Sequence, residues 1–205
     1  MENEKWETGN GSLTLRNRQR TRRLDLPLLR RIAWTLLHGL MRLDDFDLGI
    51  FLLGATEMTR LNQTFLGRRG PTDVLTFDYL EKPGPAAGPA PSGQASGGEG
   101  GSSAPLHGEI LVCVEAAAAH ARQFRTTWQS ELVRCIVHGL LHLRGFDDRR
   151  PAQRRKMKRA EDHYLRQLAR RFDLARLARQ EAHSEVRSPR PEGNPKRTCR
   201  LKPER

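Results

Sequence analysis

Cysteine is scarce in this chain. The 205 residues include 3, Cys113, Cys135 and Cys199, an odd number too widely spaced for a disulfide framework or a Cys-x-x-Cys zinc knuckle. Cys113 and Cys135 sit in apolar runs and read as core thiols, which fits a reducing cytoplasmic compartment. Long apolar stretches are missing too. None reaches the roughly 20 residues a membrane-spanning helix needs, so no membrane role is expected. Residues 1–10 are polar and partly acidic, unlike a secretory signal. Aromatic residues make up 6%. The cluster Arg16, Arg18, Arg20, Arg22 and Arg23 has none interleaved, which favours phosphate contact over base stacking. The chain has no internal repeat.

Charge is abundant and unevenly placed. The net charge is +12. Up to Asp148 there are 17 Lys and Arg against 17 Asp and Glu; from Arg149 onward there are 19 against 7. The whole excess therefore follows residue 148. A basic segment of this kind attracts polyanions, of which RNA and DNA are the commonest in a cytoplasm. A solvated helix face and an unstructured tail account for part of it.

Hydrophobic patterning gives one domain over residues 13–180 between a flexible N-terminus (1–12) and a basic tail without fixed structure (181–205). Leu13 to Asn17 alternates weakly, as an edge strand would. Asp25-Leu26-Pro27 opens a helix through Ile32, Leu36 and Leu40. Leu48 to Leu53 reads as a strand, and Thr56 to Gly67 as a helix with a glycine stop. Val74 to Tyr79 and His107 to Val114 are strands rich in β-branched residues. Between them, residues 81–105 are almost wholly Gly, Pro, Ala and Ser. They cannot bury enough apolar surface to order, and read as an insertion inside one sheet. Helices follow over Glu115 to Phe124, Ser130 to Leu143, and from Pro151 onward. This order predicts an α+β fold, a small mixed four-stranded sheet covered by about five helices.

The most informative stretch is His138-Gly139-Leu140-Leu141-His142-Leu143-Arg144-Gly145-Phe146-Asp147-Asp148. Two histidines four residues apart share one helix face and can converge on one metal ion. Gly145 is suited to a left-handed helix cap, after which Asp147 and Asp148 return as oxygen donors. Two nitrogens and a carboxylate, with a position left for water, make a catalytic zinc layout. The related His-Glu-x-x-His pattern uses its Glu as a general base. Gly139 stands there instead, which argues against a protease of that type. Gly139 leaves the helix surface bare, either for a nucleic-acid backbone or for packing against a neighbouring element.

These residues resemble the YbeY endoribonucleases, which mature ribosomal RNA. His138 to Asp147 is similar to the family signature His-Gly-x-Leu-His-Leu-x-Gly-Tyr-Asp-His. Pro71-Thr72-Asp73-Val74-Leu75-Thr76-Phe77 resembles its Pro-Thr-Asp-Val-Leu-Ser-Phe. Leu61-Asn62 and Gly108-Glu109-Ile110 match further elements in order, and Met157 and Glu161 match weaker ones on the last helix. The resemblance implies a YbeY-like metal-dependent hydrolase fold and one Zn2+ held by His138, His142 and Asp148. It also implies single-strand-specific cleavage of RNA, with a role at the 3′ end of small-subunit (16S) ribosomal RNA and in ribosome biogenesis.

Two positions depart from the family. Its third ligand is a histidine where this chain has Asp148. Aspartate binds zinc, but adds negative charge and admits a harder divalent metal. Its arginine before Pro-Thr-Asp-Val is replaced by Leu66, which leaves Arg68 as the candidate catalytic cation and Arg69 as the candidate substrate contact. Asp147 either orients a ligand histidine from outside the metal shell or caps the next helix. Asp73 is a second such acceptor or a turn residue. The competing reading is a ribosome-associated RNA-binding factor whose zinc is structural.

Overall fold

A period of two puts Leu13 and Leu15 on one side of their strand and Thr14 and Arg16 on the other. The same alternation buries Phe46, Leu48, Ile50 and Leu52 together. The computed structural model describes residues 3–8, 10–80 and 105–179. Five strands, β1 (Asn3–Thr8), β2 (Asn10–Asn17), β3 (Asp45–Leu53), β4 (Val74–Asp78) and β5 (Leu106–Cys113), form one sheet in the order β1-β2-β3-β5-β4. The pairs β2–β3 and β3–β5 are parallel, while β1–β2 and β4–β5 are antiparallel. Five helices cover this mixed sheet: α1 (Leu26–Trp34, continued by a π-helical turn over Thr35–Leu40), α2 (Ala55–Leu66), α3 (Val114–Phe124), α4 (Trp128–Leu143) and α5 (Pro151–Arg171). The fold class is α+β, as the patterning predicts.

The sheet has one strand more than expected. Within residues 1–12, read as flexible, β1 pairs with β2 from Asn3↔Arg16 to Thr8↔Gly11. β2 is therefore not the edge. The miss has a physical cause: an outer strand is held by backbone hydrogen bonds and needs no apolar periodicity of its own. Residues 81–104 of the insertion and the tail over 181–205 lie outside the described residues.

The larger core packs one sheet face, with Leu13, Leu15, Ile50 and Ile110, against α1, α4 and α5. The smaller core joins the other face, with Leu53, Leu75, Phe77 and Leu111, to Met58 of α2. Helix α4 starts at Thr127, whose side chain accepts a hydrogen bond from Ser130 N at 3.2 Å. It ends in a double-bonded cap: Gly145 N donates to His142 O and Phe146 N to Leu141 O, both at 2.9 Å, with Gly145 at φ 80°.

Gly139 is turned toward the sheet rather than open for a nucleic-acid strand. A Cβ there would lie 2.7 Å from Ile110 Cγ2 and 3.1 Å from Thr76 Cγ2. Its absence lets α4 sit close on β4 and β5. Gly139→Ala is expected to destabilise the fold by about 1–3 kcal/mol through overpacking. That would be read as a lower urea midpoint at unchanged slope; an unchanged midpoint would mean the contact is looser than described.

Candidate metal centre

His138 and His142 project from the last two turns of α4. Their Nε2 atoms stand 3.1 Å apart. Asp148, on the loop after the cap, places Oδ2 4.0 Å from His138 Nε2. The three donor atoms lie within 4.8 Å of one another, and among the described residues the group has three members.

Each imidazole is held from behind. His138 Nδ1 lies 3.1 Å from Glu161 Oε2, and His142 Nδ1 lies 3.1 Å from the Phe146 carbonyl. Carboxylate and carbonyl oxygens only accept, so both Nδ1 atoms carry the proton and both Nε2 atoms present lone pairs. Two facing lone pairs at this distance repel unless a cation lies between them. Nitrogens on a tetrahedral zinc, each about 2.0–2.1 Å from it, would stand about 3.3 Å apart. The donor set thus fits a divalent ion. Burial and the neighbouring His138 lower the pKa of His142, with Asp148 opposing. That keeps the imidazole neutral, the form a metal needs.

Glu161 anchors the rear of the site. It is 5% exposed and also accepts from Lys158 Nζ at 2.7 Å and from Arg134 Nη1. Burial pushes its pKa up, but hydrogen bonds from His138, Lys158 and Arg134 outweigh it and hold the group at about 2. Its role beside His138 did not follow from spacing. The available signal was an acid within the buried stripe Met157, Glu161, Leu165 and Leu168 of α5. His120 was also missed. Its Nδ1 lies 3.7 Å from Asp73 Oδ2, and both line a cleft of about 450 Å³ with His138, Arg134 and Lys158.

The other candidates do not join the three donors. Asp147 Oδ1 accepts from Arg149 N at 3.0 Å and Arg149 Nε at 3.2 Å. Neither role considered for it is seen. The Phe146 carbonyl orients His142, and the N-cap of α5 is Arg150 without a side-chain cap bond. Arg68 and Arg69 are exposed on the loop between α2 and β4, and no hydrogen bond or ion pair described there ties them to the three donors. The Asp73 carboxylate accepts from Val74 N at 3.0 Å and lines the cleft with His138. His107 stands against Asp47 at 3.6 Å and Tyr79. Cys113 and Cys135 are buried free thiols.

A helix bearing two back-braced imidazoles over a mixed sheet, with a carboxylate returned by the next loop, defines an α+β domain with a donor group that could hold a metal ion. Comparison with known proteins makes this specific. Residues 14–169 match the family Endoribonuclease YbeY. The endoribonuclease YbeY of Salinibacter ruber is 42% identical over 118 residues, 58% of this chain and 68% of that protein. That of Chlorobium luteolum is 33% identical over 149 residues, 73% of this chain and 93% of that protein. The solution structure of TM1509 from Thermotoga maritima shares the fold, with a TM-score of 0.50 at 23% identity over 78% of this chain and 90% of that one. The chain belongs to the YbeY endoribonuclease family.

Proposed function

We propose that the chain is a metal-dependent endoribonuclease that cuts single-stranded RNA, with small-subunit ribosomal RNA as its substrate class and 3′-end maturation as its step. The observation that carries this reading is the meeting of His138, His142 and Asp148 donor atoms within 4.8 Å, each imidazole fixed in the tautomer that presents Nε2. Zinc bound there would supply a Lewis acid for the phosphate oxygens and lower the pKa of a water. His138, His142 and Asp148 hold the ion. Glu161 and the Phe146 carbonyl fix the rings so that little reorganisation is needed. The Asp148 carboxylate adds a negative charge where the family has a neutral imidazole, so the site binds hard divalent ions better than a three-histidine site would. The cleft beside His138 receives the strand, with Lys158 and Arg134 at its wall. Arg68 steadies charge on the phosphate and Arg69 contacts the substrate backbone from the α2–β4 loop. A reducing cytoplasm and association with the ribosome fit the thiols and the basic C-terminal third.

Asp148 and Leu66, which replace a family histidine and arginine, favour a second reading: a ribosome-associated RNA-binding factor with a structural zinc. A closed four-donor shell marks a structural ion, an open shell a catalytic one. The test is cleavage of single-stranded RNA by the zinc-loaded full chain. Cuts that stop on chelation and return with metal are expected; RNA binding without cleavage under any divalent metal would leave only the second reading. Deleting residues 185–205 is expected to weaken RNA binding and flatten its salt dependence, with metal content intact. An unchanged slope of log Kd against log salt would take the tail out of RNA binding.

A further inference from the structure

Side chains on the opposite face of the sheet from α4 form a second cleft, of about 470 Å³. Strand alternation separates the two faces: Ile110 and Thr76 point to α4 beneath Gly139, while Glu109, Leu111, Phe77 and Tyr79 point away. Helix α2 forms one wall, and Arg16, Arg18 and Phe51 complete the lining. Two of the exposed large hydrophobic residues line this cleft, Phe65 at 43% and Tyr79 at 36% exposed. Contiguous apolar surface rimmed by charge marks an interaction site.

We infer that this cleft is a second RNA site, distinct from the metal centre, in which Phe51 and Tyr79 stack nucleobases of a single strand while Arg18 and Arg60 meet its phosphates. RNA as the ligand rests on the endoribonuclease reading; the cleft does not. The ring of Phe51 reaches back over Gly49, where a Cβ would come within 2.7 Å of it, and it packs half-buried on the smaller core while lining the cleft. Phe65 meets Phe77 edge-on at 4.9 Å and extends the apolar floor. Phe51 pairs with Leu111 and the Tyr79 amide bonds to His107 O, four residues away along β5. The offset is about 13 Å along the strand and about 10 Å across two strand spacings. That diagonal suits about two or three nucleotides, the reach of other base-stacking sheet faces.

Charge decides between occupants. Two carboxylates lie in the cleft, and both are engaged: Glu57 pairs with Arg18 at 2.7 Å, and Glu109 sits at the Tyr79 hydroxyl. Burial first, and then Glu109, push the Tyr79 pKa up to about 12, so the ring stays neutral. Arg16 and the exposed Arg60 add to Arg18. The sequence separates the arginine cluster from aromatic residues; the sheet pairs Arg16 with Phe51 of β3, and Phe77 and Tyr79 line the same cleft. Stacking rings under a guanidinium rim are the chemistry of single-strand recognition, whereas a second copy of the chain would bring its own arginines against these.

The experiment uses the full chain in chelator, so that nothing is cut, with fluorescence anisotropy of short labelled oligouridylate and oligoadenylate. Tyr79→Ala and Phe51→Leu are each expected to weaken binding about 5- to 100-fold, and Tyr79→Phe to bind like wild type. Arg60→Ala is expected to lower the salt slope by about 1. Phe51→Leu keeps an apolar side chain at a half-buried position and Tyr79 is exposed, so the fold should survive both; circular dichroism checks it. Ring variants that bind as wild type does, or that alter only sedimentation of the protein, would overturn the site. Cleavage with ring-independent binding would leave the endoribonuclease reading standing and this site lost. Ring-dependent binding by a protein that cuts nothing would do the reverse.

Discussion

His142→Ala is expected to remove RNA cleavage and to strip the metal, while the protein stays folded and still binds single-stranded RNA. His142 supplies one of three donors, and its Nε2 faces that of His138 at 3.1 Å. Losing a supporting residue outside a metal shell costs about 10–100-fold in affinity or activity, and losing a ligand costs more. The fold should survive because His142 is only partly buried and α4 is held by Leu132, Val133, Ile136, Val137 and Leu140. Metal content after dialysis, RNA cleavage and thermal unfolding report on the three parts separately. Wild-type cleavage by this variant would remove the centre from the reaction.

Glu161→Gln should produce the second-largest effect, and a double one. The substitution keeps the volume and leaves an oxygen for His138 Nδ1, but takes the charge from a carboxylate that Arg134 and Lys158 share. Removing one partner of a buried ion pair costs about 3–5 kcal/mol. Asp162 and Glu131 still face Arg134, so about 3 kcal/mol or somewhat less is expected. Metal affinity should fall about 10–100-fold as His138 loosens. The pH dependence has a definite sign. The carboxyl is held at about 2 in the folded protein, below its ordinary 4.5. The stability it contributes is therefore full above about pH 4.5 and is lost as pH falls toward about 2. Urea midpoints of wild type and variant should converge across that window. A constant gap down to pH 2 would show that the carboxylate is not what the variant lost.

The sequence exposes most of what lies on one helix and little of what crosses between elements. The i, i+4 histidines, the Gly145 cap and the returning aspartate are local, and local geometry follows from residue type and spacing. Asp148 was separable from Asp147 only through the family resemblance, because both follow the same cap. Structure distinguishes them physically: Asp147 turns to Arg149, and Asp148 faces His138. Glu161 reaches His138 from 23 residues away, and no periodicity reports a contact of that range. β1 was invisible because an outer strand carries no burial pattern. Gly139 was legible as a missing side chain, but whether that served a ligand or the sheet depended on how α4 is rotated, which Ile110 and Thr76 settle. The arginine cluster has no aromatic neighbours in sequence and acquires them only in the fold, where Arg16 pairs across the sheet with Phe51 and Arg22 lies over Trp128.

The most direct measurement is X-ray absorption at the zinc edge on the zinc-loaded full chain, with metal stoichiometry measured on the same sample. One ion per chain is expected, bound by two imidazole nitrogens and a carboxylate oxygen with one further light atom from solvent, and with the imidazole signal lost in His142→Ala. An ion bound through sulfur, a fourth protein donor, or no bound ion would contradict an open centre at His138, His142 and Asp148.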